Sequence, residues 1–464
     1  MRTLLVFPKR NPLSDETVFK HPWESERPTP PLGITYLGAV LEKAGLPVKL
    51  LDCRLSEAKD IIHEIESADI VGISAPSVLA KGALELAGYA KSLGKITVVG
   101  GPHATISPDF FLRDREGLVD FVVRGEGEHT LLELVQKLSD GEDWKEVEGI
   151  SYLKDSEIVH TPDRPAIRNL DDLPFPARHL LPMKEYLRRW KKTIGYTFLN
   201  LLSSRGCPYS CFFCSKEIFG KVYRVRSTKN VVDEMEFMVE KYAPDHLFFN
   251  DDVFTLNRWR VLQICNELIE RRLKVDWGCE SRVDTVDHEL LKAMKKSGCT
   301  RIAYGVESGS QRILNVLKKN VTAEQVKRAT SLTKKVGIQV VHYLIVGTPG
   351  ETVEDIELTK RLIRETNPDY IGVSFFTPFP GGESWKLLED RLLITDLEQF
   401  DYFDSPVFKH ENFPPEQLKE IRLEMLKEFR TRMLLSYLSS PRKILRFLRK
   451  FRKHLGYWKW VVSG

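Results

Sequence analysis

Short apolar runs alternate with helical patterns over most of this 464-residue sequence. In residues 1–140 the apolar runs are TLLVF, VKLLD, DIVGISA, ITVVGG and FVVRGEGE. These runs are mainly apolar before the polar turn residues in which several of them end, which indicates strands that are buried on both faces of a parallel sheet. The alternation therefore predicts an α/β fold, in which residues 1–140 form a Rossmann-like, doubly wound domain.

The alternation resumes in residues 197–385, where six apolar runs are each separated by a helical pattern. Six such units predict an open or complete barrel of the TIM type. Polar residues gather where these strands end, which is where barrel enzymes place their chemistry. Residues 141–196 are too rich in proline at their centre for regular structure and are interpreted as a connector. Residues 386–464 are predicted to form a mostly helical tail.

The composition and the apolar runs indicate the compartment in which the protein works. Seven cysteines in a chain of this length are too few for a disulfide scaffold, and the opening MRTLLVFPKR reads as a strand rather than a secretion signal. No apolar run reaches the ~18 residues that a membrane-spanning helix requires. We therefore expect a cytoplasmic protein.

Three of the cysteines, Cys207, Cys211 and Cys214, lie within eight residues just after the first barrel strand. A reducing compartment argues against a disulfide, and a structural zinc site would need a fourth ligand that no nearby CxxC or histidine cluster supplies. A four-iron cluster that is held by three thiolates leaves one iron open to another molecule. We interpret the missing fourth ligand as a substrate position.

The spacing Cys207-x-x-x-Cys211-x-x-Cys214 resembles the signature of radical S-adenosylmethionine enzymes. The resemblance implies that S-adenosylmethionine chelates the open iron and is cleaved reductively to methionine and a 5′-deoxyadenosyl radical. It also implies an electron donor such as a flavodoxin or ferredoxin, and no catalytic residues beyond the cofactor ligands. The positions that match S-adenosylmethionine contacts are Phe213, Asp251, Asp252, Glu280, Arg282, Glu307, Ser308 and Gly347.

The resemblance implies which part of S-adenosylmethionine several of these residues contact. Phe213 is expected near the adenine, together with the glycine motif IVGTPGE that contains Gly347. Asp251 and Asp252 are expected at the amino group, and Glu307 with Ser308 at the ribose. Arg282 could hold a carboxylate through two hydrogen bonds, although a structural salt bridge is an equal alternative.

The first domain resembles the cobalamin-binding domain that is fused to one large class of these enzymes. The segments that carry this resemblance are PPLGITYLGAVLEKAG, VGISAPSV, VVGGPHAT and VVRGEGE. A plain dinucleotide-binding domain is the alternative, but no GxGxxG follows the first strand. The expected cobalamin contacts are Pro31, Gly33, Ser74, Pro76, Ser77, Gly100, Gly101, Pro102, His103, Gly125 and Glu126.

One familiar cobalamin motif is absent. The Asp-x-His-x-x-Gly sequence, whose histidine binds cobalt in mutases and methionine synthase, does not occur in this chain. The sequence therefore predicts no histidine ligand below the cobalt, and a contact of His103 with the tail of the ligand.

The end of the chain is strongly basic. Residues 430–464 contain ten Lys or Arg and no Asp or Glu, and apolar residues recur at helical spacing between Ile444 and Leu455. This pattern favours an interfacial helix on an anionic membrane. A helix that docks on the barrel is the main alternative, and nucleic acid is the third and least favoured.

Together these features predict a cobalamin-dependent radical S-adenosylmethionine enzyme that methylates an unactivated carbon of a lipid or other membrane-associated substrate. Ring formation or carbon–carbon bond formation is an alternative outcome. A transfer-RNA methylthiotransferase would bring three further cluster cysteines in its first domain, where only Cys53 occurs. A non-catalytic sensor that carries cobalamin or a cluster would not need the strand-end carboxylates.

Overall fold

A computed structural model of the chain describes residues 1–14, 27–113 and 117–438. These residues form two compact units. The first unit contains the described residues of Met1–Tyr186 together with Ser215–Val225 and Asp396–Gln399. The second unit contains Leu187–Cys214, Arg226–Thr395 and the described residues from Phe400 onward.

The first unit is built on a seven-stranded sheet with the strand order β2-β1-β3-β4-β5-β6-β7. Strands β1 to β5 are parallel, and β6 and β7 extend the sheet as an antiparallel hairpin. The strands are β1 (Thr3–Phe7), β2 (Val48–Asp52), β3 (Ile70–Ser74), β4 (Ile96–Gly100), β5 (Phe121–Val123), β6 (Ile150–Lys154) and β7 (Glu157–His160). The helices are α1 (Leu32–Lys43), α2 (Ala58–Glu66), α3 (Ala80–Ser92), α4 (Pro102–Ile106), α5 (Pro108–Leu112) and α6 (Gly127–Asp140).

The core of this unit explains the apolar runs. Val6, Val71 and Val99 on three adjacent strands are fully buried, and they belong to one cluster with Ile61 of α2 and Leu86 of α3. Helices thus cover the central strands, which leaves few positions for polar residues along them. The predicted doubly wound domain is confirmed.

The second unit is built on a six-stranded parallel sheet with the order β8-β11-β12-β13-β14-β15, which curls into a half-barrel. Its strands are β8 (Phe198–Leu201), β11 (His246–Phe249), β12 (Asp276–Ser281), β13 (Cys299–Glu307), β14 (Gln339–Val346) and β15 (Tyr370–Phe375). Two short strands, β9 (Ser204–Arg205) and β10 (Arg224–Val225), lie in the chain between β8 and β11. The prediction of a barrel of six β/α units is confirmed in its open form.

Helices follow most strands of the half-barrel. They are α8 (Thr228–Tyr242), α9 (Arg258–Glu270), α10 (His288–Lys296), α11 (Gln311–Val316), α12 (Ala323–Lys335), α13 (Val353–Thr366) and α14 (Glu383–Leu388), preceded by α7 (Met183–Ile194). Their starts are encoded locally, since Thr322 and Gln325 form a capping box on α12 and Thr352 and Asp355 form one on α13.

The structure differs from the expected connector, whereas the expected helical tail is confirmed over its described residues. Residues 141–196 contain the β6–β7 hairpin and α7, so only the proline-rich centre lacks helix or strand apart from two short 3-10 turns. The tail contains one long helix, α15 (Pro415–Leu438). The amphipathic pattern at 444–455 lies outside the described residues. Within the described part of the chain, no helix has the length and apolarity to cross a membrane.

Candidate active site

The three clustered cysteines lie on the loop that follows β8 and the short strand β9 in the second unit. Cys207 is buried, Cys211 is partly buried and Cys214 is exposed, and none of them is in a disulfide. A group that binds all three thiols can therefore be reached from solvent on the Cys214 side.

The donor set of this loop suits an iron–sulfur cluster. Cysteine thiolates are the usual ligands of such clusters, and three of them can each bind a different iron and leave the fourth iron open. Among residues 1–14, 27–113 and 117–438, no three His, Cys, Asp or Glu side chains are grouped so that they could hold a single metal ion.

Backbone hydrogen bonds fix this loop on both sides. The Phe212 N–H donates to the Leu317 carbonyl at 2.9 Å, just after α11, and the Phe212 carbonyl accepts from the Ser384 N–H of α14 at 3.2 Å. The Phe212 ring is buried and stacks on Phe376, with ring centroids 5.9 Å apart. The peptide between Cys211 and Cys214 is thus positioned before any ligand binds.

Arg282, at the end of β12, contacts the same loop. Its guanidinium carbon lies 3.6 Å from the centroid of the Tyr209 ring, midway in sequence between Cys207 and Cys211. Its Nε and Nη2 donate to the two carboxylate oxygens of Asp284, each at 2.9 Å. The structural salt bridge, one of the two alternatives for this residue, is therefore formed.

Glu307, at the end of β13, is held by a lysine that the sequence analysis missed. The Lys319 ammonium donates to Glu307 Oε1 at 2.6 Å, and both side chains are only 8% exposed. Gly305 leaves room for this pair, since a Cβ there would lie 2.5 Å from Glu307 Oε1 and 2.7 Å from Lys319 Nζ. Lys319 occurs in LKKN after a short helix, a pattern that reads as a solvated helix end.

Asp251 and Asp252 have different surroundings. Asp251 is fully buried and accepts hydrogen bonds from the Ser203 N–H at 2.7 Å, the Ser203 hydroxyl at 2.6 Å and the Ser204 hydroxyl. Burial raises the pKa of Asp251, although Arg260 and these donors oppose the shift. Asp252 is exposed. The structure therefore gives Asp251 a role in shaping the loop after β8, and leaves Asp252 accessible to a ligand.

Ser308 and Gly347 are both engaged with the protein. The buried Ser308 hydroxyl shares a hydrogen bond with Thr359 at 3.1 Å and accepts one from the Ser310 N–H at 3.1 Å. Gly347, with a φ of 80°, donates its N–H to Glu351 at 2.6 Å. Both residues thus fix the shape of strand-end loops, and their predicted ligand contacts would come from the backbone.

Glu280 lies near the carboxyl end of β12. Its carboxyl group makes no hydrogen bond or ion pair within the described part of the chain. Burial, followed by the charges of Asp252, Glu307 and Asp251, raises its pKa to about 7. Near neutral pH this side chain can therefore act as either a hydrogen-bond donor or an acceptor.

The glycine turn of the first unit joins the carboxyl ends of β3 and β4. The Ala75 N–H donates to the Gly100 carbonyl at 2.7 Å, and the His103 N–H donates to the Ala75 carbonyl at 3.0 Å. Gly101 has a φ of 99°, and a Cβ there would lie 3.2 Å from Ala75 N and 3.4 Å from the Ser74 hydroxyl. Only glycine allows so close an approach in this backbone conformation.

His103 is buried beside this turn and begins α4 behind Pro102. Its Nδ1 lies 3.3 Å from the Ser77 hydroxyl, while its Nε2 has no hydrogen-bond partner among the described residues. Burial lowers its pKa to about 4, so the imidazole is neutral at physiological pH. The rings of Phe110 and Phe111 contact it edge-on.

Other predicted cobalamin positions leave space at the same edge of the sheet. A Cβ at Gly33 or Gly125 would meet no atom within 4 Å. Pro31 precedes α1, and Pro76 precedes the short turn after β3. Open glycine positions together with a buried imidazole nitrogen fit a large ligand at the carboxyl ends of the strands.

Glu126 departs from this pattern because its carboxylate is occupied. It forms a buried ion pair with Arg224 and accepts a hydrogen bond from the Ile167 N–H at 3.0 Å. Arg224 also donates to the Ile167 carbonyl at 2.7 Å and the Phe219 carbonyl at 3.0 Å. The geometry thus makes Glu126 an anchor for the segment Ser215–Val225, which no sequence signal indicated.

Family models match both units of the chain. Residues 24–135 match the B12 binding domain, and residues 201–363 match the radical SAM superfamily. These matches cover the glycine turn of the first unit and the cysteine loop of the second.

Curated relatives match most of the chain. An uncharacterized methyltransferase of Pyrococcus horikoshii is 35% identical over 84% of this chain and 86% of its own length. The anaerobic magnesium-protoporphyrin IX monomethyl ester cyclase of Rubrivivax gelatinosus is 32% identical over 82% and 70%. The hopanoid C-3 methylase of Methylococcus capsulatus is 30% identical over 80% and 71%.

A solved structure has the same fold. It is the radical S-adenosylmethionine methyltransferase TsrM from Kitasatospora setae, with cobalamin and a [4Fe-4S] cluster bound. It is 20% identical, has a TM-score of 0.70, and covers 84% of this chain and 75% of that one. Similarity at this level of identity establishes the fold of both units.

Glu351 predicts a pH dependence of stability. Burial raises its pKa from 4.5 to about 8, although two backbone N–H groups lower it. Between these values the unfolded state binds fewer protons than the folded state, so stability falls as pH rises. Glu351→Gln removes this titration and keeps an acceptor for the Gly347 N–H. We expect the free energy of unfolding of the wild type, measured by denaturant titration, to fall more steeply than that of the variant between about pH 5 and pH 8, by at most ~1.4 kcal/mol per pH unit. Parallel curves would contradict this assignment.

Proposed function

Since the chain belongs to the radical S-adenosylmethionine enzymes that carry a cobalamin-binding domain, we propose that it methylates an unactivated carbon of a lipid or other membrane-associated substrate. Its cofactors are a four-iron cluster, S-adenosylmethionine and cobalamin. The observation that carries the proposal is the fixed loop of three cysteines at the carboxyl end of a half-barrel, in a chain that also has the cobalamin-binding fold.

The chain's own residues hold and orient these groups. When bound, the cluster with S-adenosylmethionine supplies a carbon-centred radical, and cobalamin supplies the methyl group. Cys207, Cys211 and Cys214 hold the cluster. Glu307, which Lys319 orients, accepts hydrogen bonds from the ribose hydroxyls, and Asp252 contacts the amino group. Glu280, whose carboxyl group makes no hydrogen bond or ion pair within the described part of the chain, is a further contact of S-adenosylmethionine.

In the first unit, Gly33, Gly101 and Gly125 let the backbone approach cobalamin closely. His103 stays neutral because its pKa is about 4. Its place beside Ser77, in contact with two phenylalanine rings, supports a contact with the tail of cobalamin rather than with cobalt.

Two observations support a membrane-associated substrate. The relative from Methylococcus capsulatus is a hopanoid methylase by name. The last 35 residues of this chain contain ten basic and no acidic side chains, and each basic residue near an anionic surface contributes ~1 kcal/mol of binding. The protein would then work at the inner face of the membrane and take electrons from a flavodoxin or a ferredoxin.

Ring formation is the second candidate outcome, and the similarity to the cyclase of Rubrivivax gelatinosus favours it. The strand-end carboxylates and the cysteine loop would serve either outcome, because both begin with the same radical.

The cysteine assignment predicts that the wild type, reconstituted with iron and sulfide and then reduced, cleaves S-adenosylmethionine to methionine and 5′-deoxyadenosine. The triple variant Cys207→Ala, Cys211→Ala, Cys214→Ala should hold no four-iron cluster by iron analysis and Mössbauer spectroscopy. Cys265→Ala, a change in the buried core of the same unit, should keep both properties. A full cluster in the triple variant would overturn the assignment.

The Glu307 assignment predicts weaker binding of S-adenosylmethionine. Each charge-assisted hydrogen bond contributes ~1.5–3 kcal/mol, so Glu307→Gln should raise the dissociation constant at least about tenfold by equilibrium dialysis. The iron content should stay unchanged. Glu383→Gln is the matched control, because Glu383 pairs with the neighbouring Lys318 but is exposed. If both variants bind like the wild type, Glu307 does not contact the ligand.

The substrate class predicts a change in membrane lipids. Lipid extracts from cells with the protein should contain a species that is heavier by one CH₂ than its counterpart in cells without it, as measured by mass spectrometry. Cells that express Glu307→Gln serve as the control. A new product without the added CH₂ would favour ring formation, and a new product confined to the water-soluble fraction would refute the lipid substrate.

A further inference from the structure

Arg282 combines deep burial with a contact to the cysteine loop. Its side chain is only 4% exposed, and its guanidinium carbon lies 3.6 Å from the centroid of the Tyr209 ring. Tyr209 is two residues from Cys207 and two residues from Cys211. A permanent positive charge is therefore stacked on the stretch of chain that joins two of the proposed cluster ligands.

Three of the five N–H groups of this side chain have assigned partners, and one nitrogen has none. Nε and Nη2 donate to Asp284, and Nη2 also donates to the Lys319 carbonyl at 2.8 Å. Nη1 is buried and has no hydrogen-bond partner within the described part of the chain. Leaving a buried charged donor unsatisfied is unfavourable, so the position indicates an acceptor that arrives with a ligand.

The negative charge of a cluster bound to the cysteine loop points to the cluster as that acceptor. A four-iron core of charge 2+ with three cysteine thiolates has a net charge of −1, and one-electron reduction makes it −2. A fixed cation nearby stabilises the reduced form more than the oxidised form. Hydrogen bonds to the cluster sulfurs and local charge are both established determinants of cluster potential.

We propose that Arg282 is a positioning residue for the cluster. It holds Tyr209, and with it the span from Cys207 to Cys211, and it places a cation and an unpartnered N–H beside the bound cluster to favour its reduction. This inference rests on the proposed function, since it presumes that the three cysteines hold a cluster. It replaces the expectation that Arg282 binds the carboxylate of S-adenosylmethionine through two hydrogen bonds, because Nε and Nη2 already form such a bidentate pair with Asp284.

The test measures the midpoint of the one-electron reduction of the reconstituted cluster, by redox titration with paramagnetic resonance detection and without S-adenosylmethionine. Arg282→Gln should lower the equilibrium constant for reduction about tenfold, which shifts the midpoint by about 59 mV to more negative potential. Asp284→Asn removes the opposing charge and keeps Arg282, so it should shift the midpoint in the opposite direction. Arg282→Lys keeps the charge and should restore most of the shift.

Arg258→Gln is the matched control, because Arg258 also lies over an aromatic ring, that of Trp259, and pairs with Asp287. It should leave the midpoint unchanged. If Arg282→Gln assembles no cluster, the shift of the reduction midpoint to less negative potential in Asp284→Asn still tests the inference. A wild-type cluster whose midpoint moves in neither Arg282→Gln nor Asp284→Asn would refute this inference alone. A wild-type protein that assembles no cluster would refute the proposed function together with it.

Discussion

The buried ion pair between Lys319 and Glu307 is the interaction on which the carboxyl end of the half-barrel depends. Three non-glycine residues with positive φ, Glu307, Lys318 and Asn320, lie at or beside this pair. Each such conformation costs ~1–3 kcal/mol, so the surrounding contacts must fix it. The Lys319 carbonyl also accepts a hydrogen bond from Arg282. One residue thus joins the end of β13 to the arginine that stacks on the cysteine loop.

The sequence was sufficient for the architecture of both units, because strands that are buried on two faces must be apolar along their length and the cysteine spacing is specific. It did not reveal which polar side chains are hydrogen-bonded within the protein and which are left to contact a ligand. Asp251 and Asp252 are adjacent and chemically alike, yet one is enclosed by serine donors and the other is exposed. Such differences arise from contacts between residues about 50 positions apart, which no local pattern encodes. Lys319 was missed for the same reason, since its partner lies on the preceding strand.

Relatives with different named reactions are 30% to 35% identical to this chain over 80% to 84% of its length. Methyl transfer and ring formation can both start from the same radical, so the residues that hold the cofactors do not by themselves fix the outcome. Within the described part of the chain, Glu280 is a strand-end carboxyl group with no hydrogen bond or ion pair, and burial raises its pKa to about 7. A ligand that binds beside it can therefore change its protonation near neutral pH.

The segment Ser215–Val225 directly follows Cys214 in the chain, yet it belongs to the first unit, where the Glu126–Arg224 pair anchors it. The two units are therefore interleaved along the gene rather than arranged in tandem. A single crossover between positions 126 and 224, with a chain that lacks this pair, would leave Glu126 or Arg224 without its partner and its charge buried. An exchange that carries the whole stretch from Glu126 to Arg224 would keep the pair together.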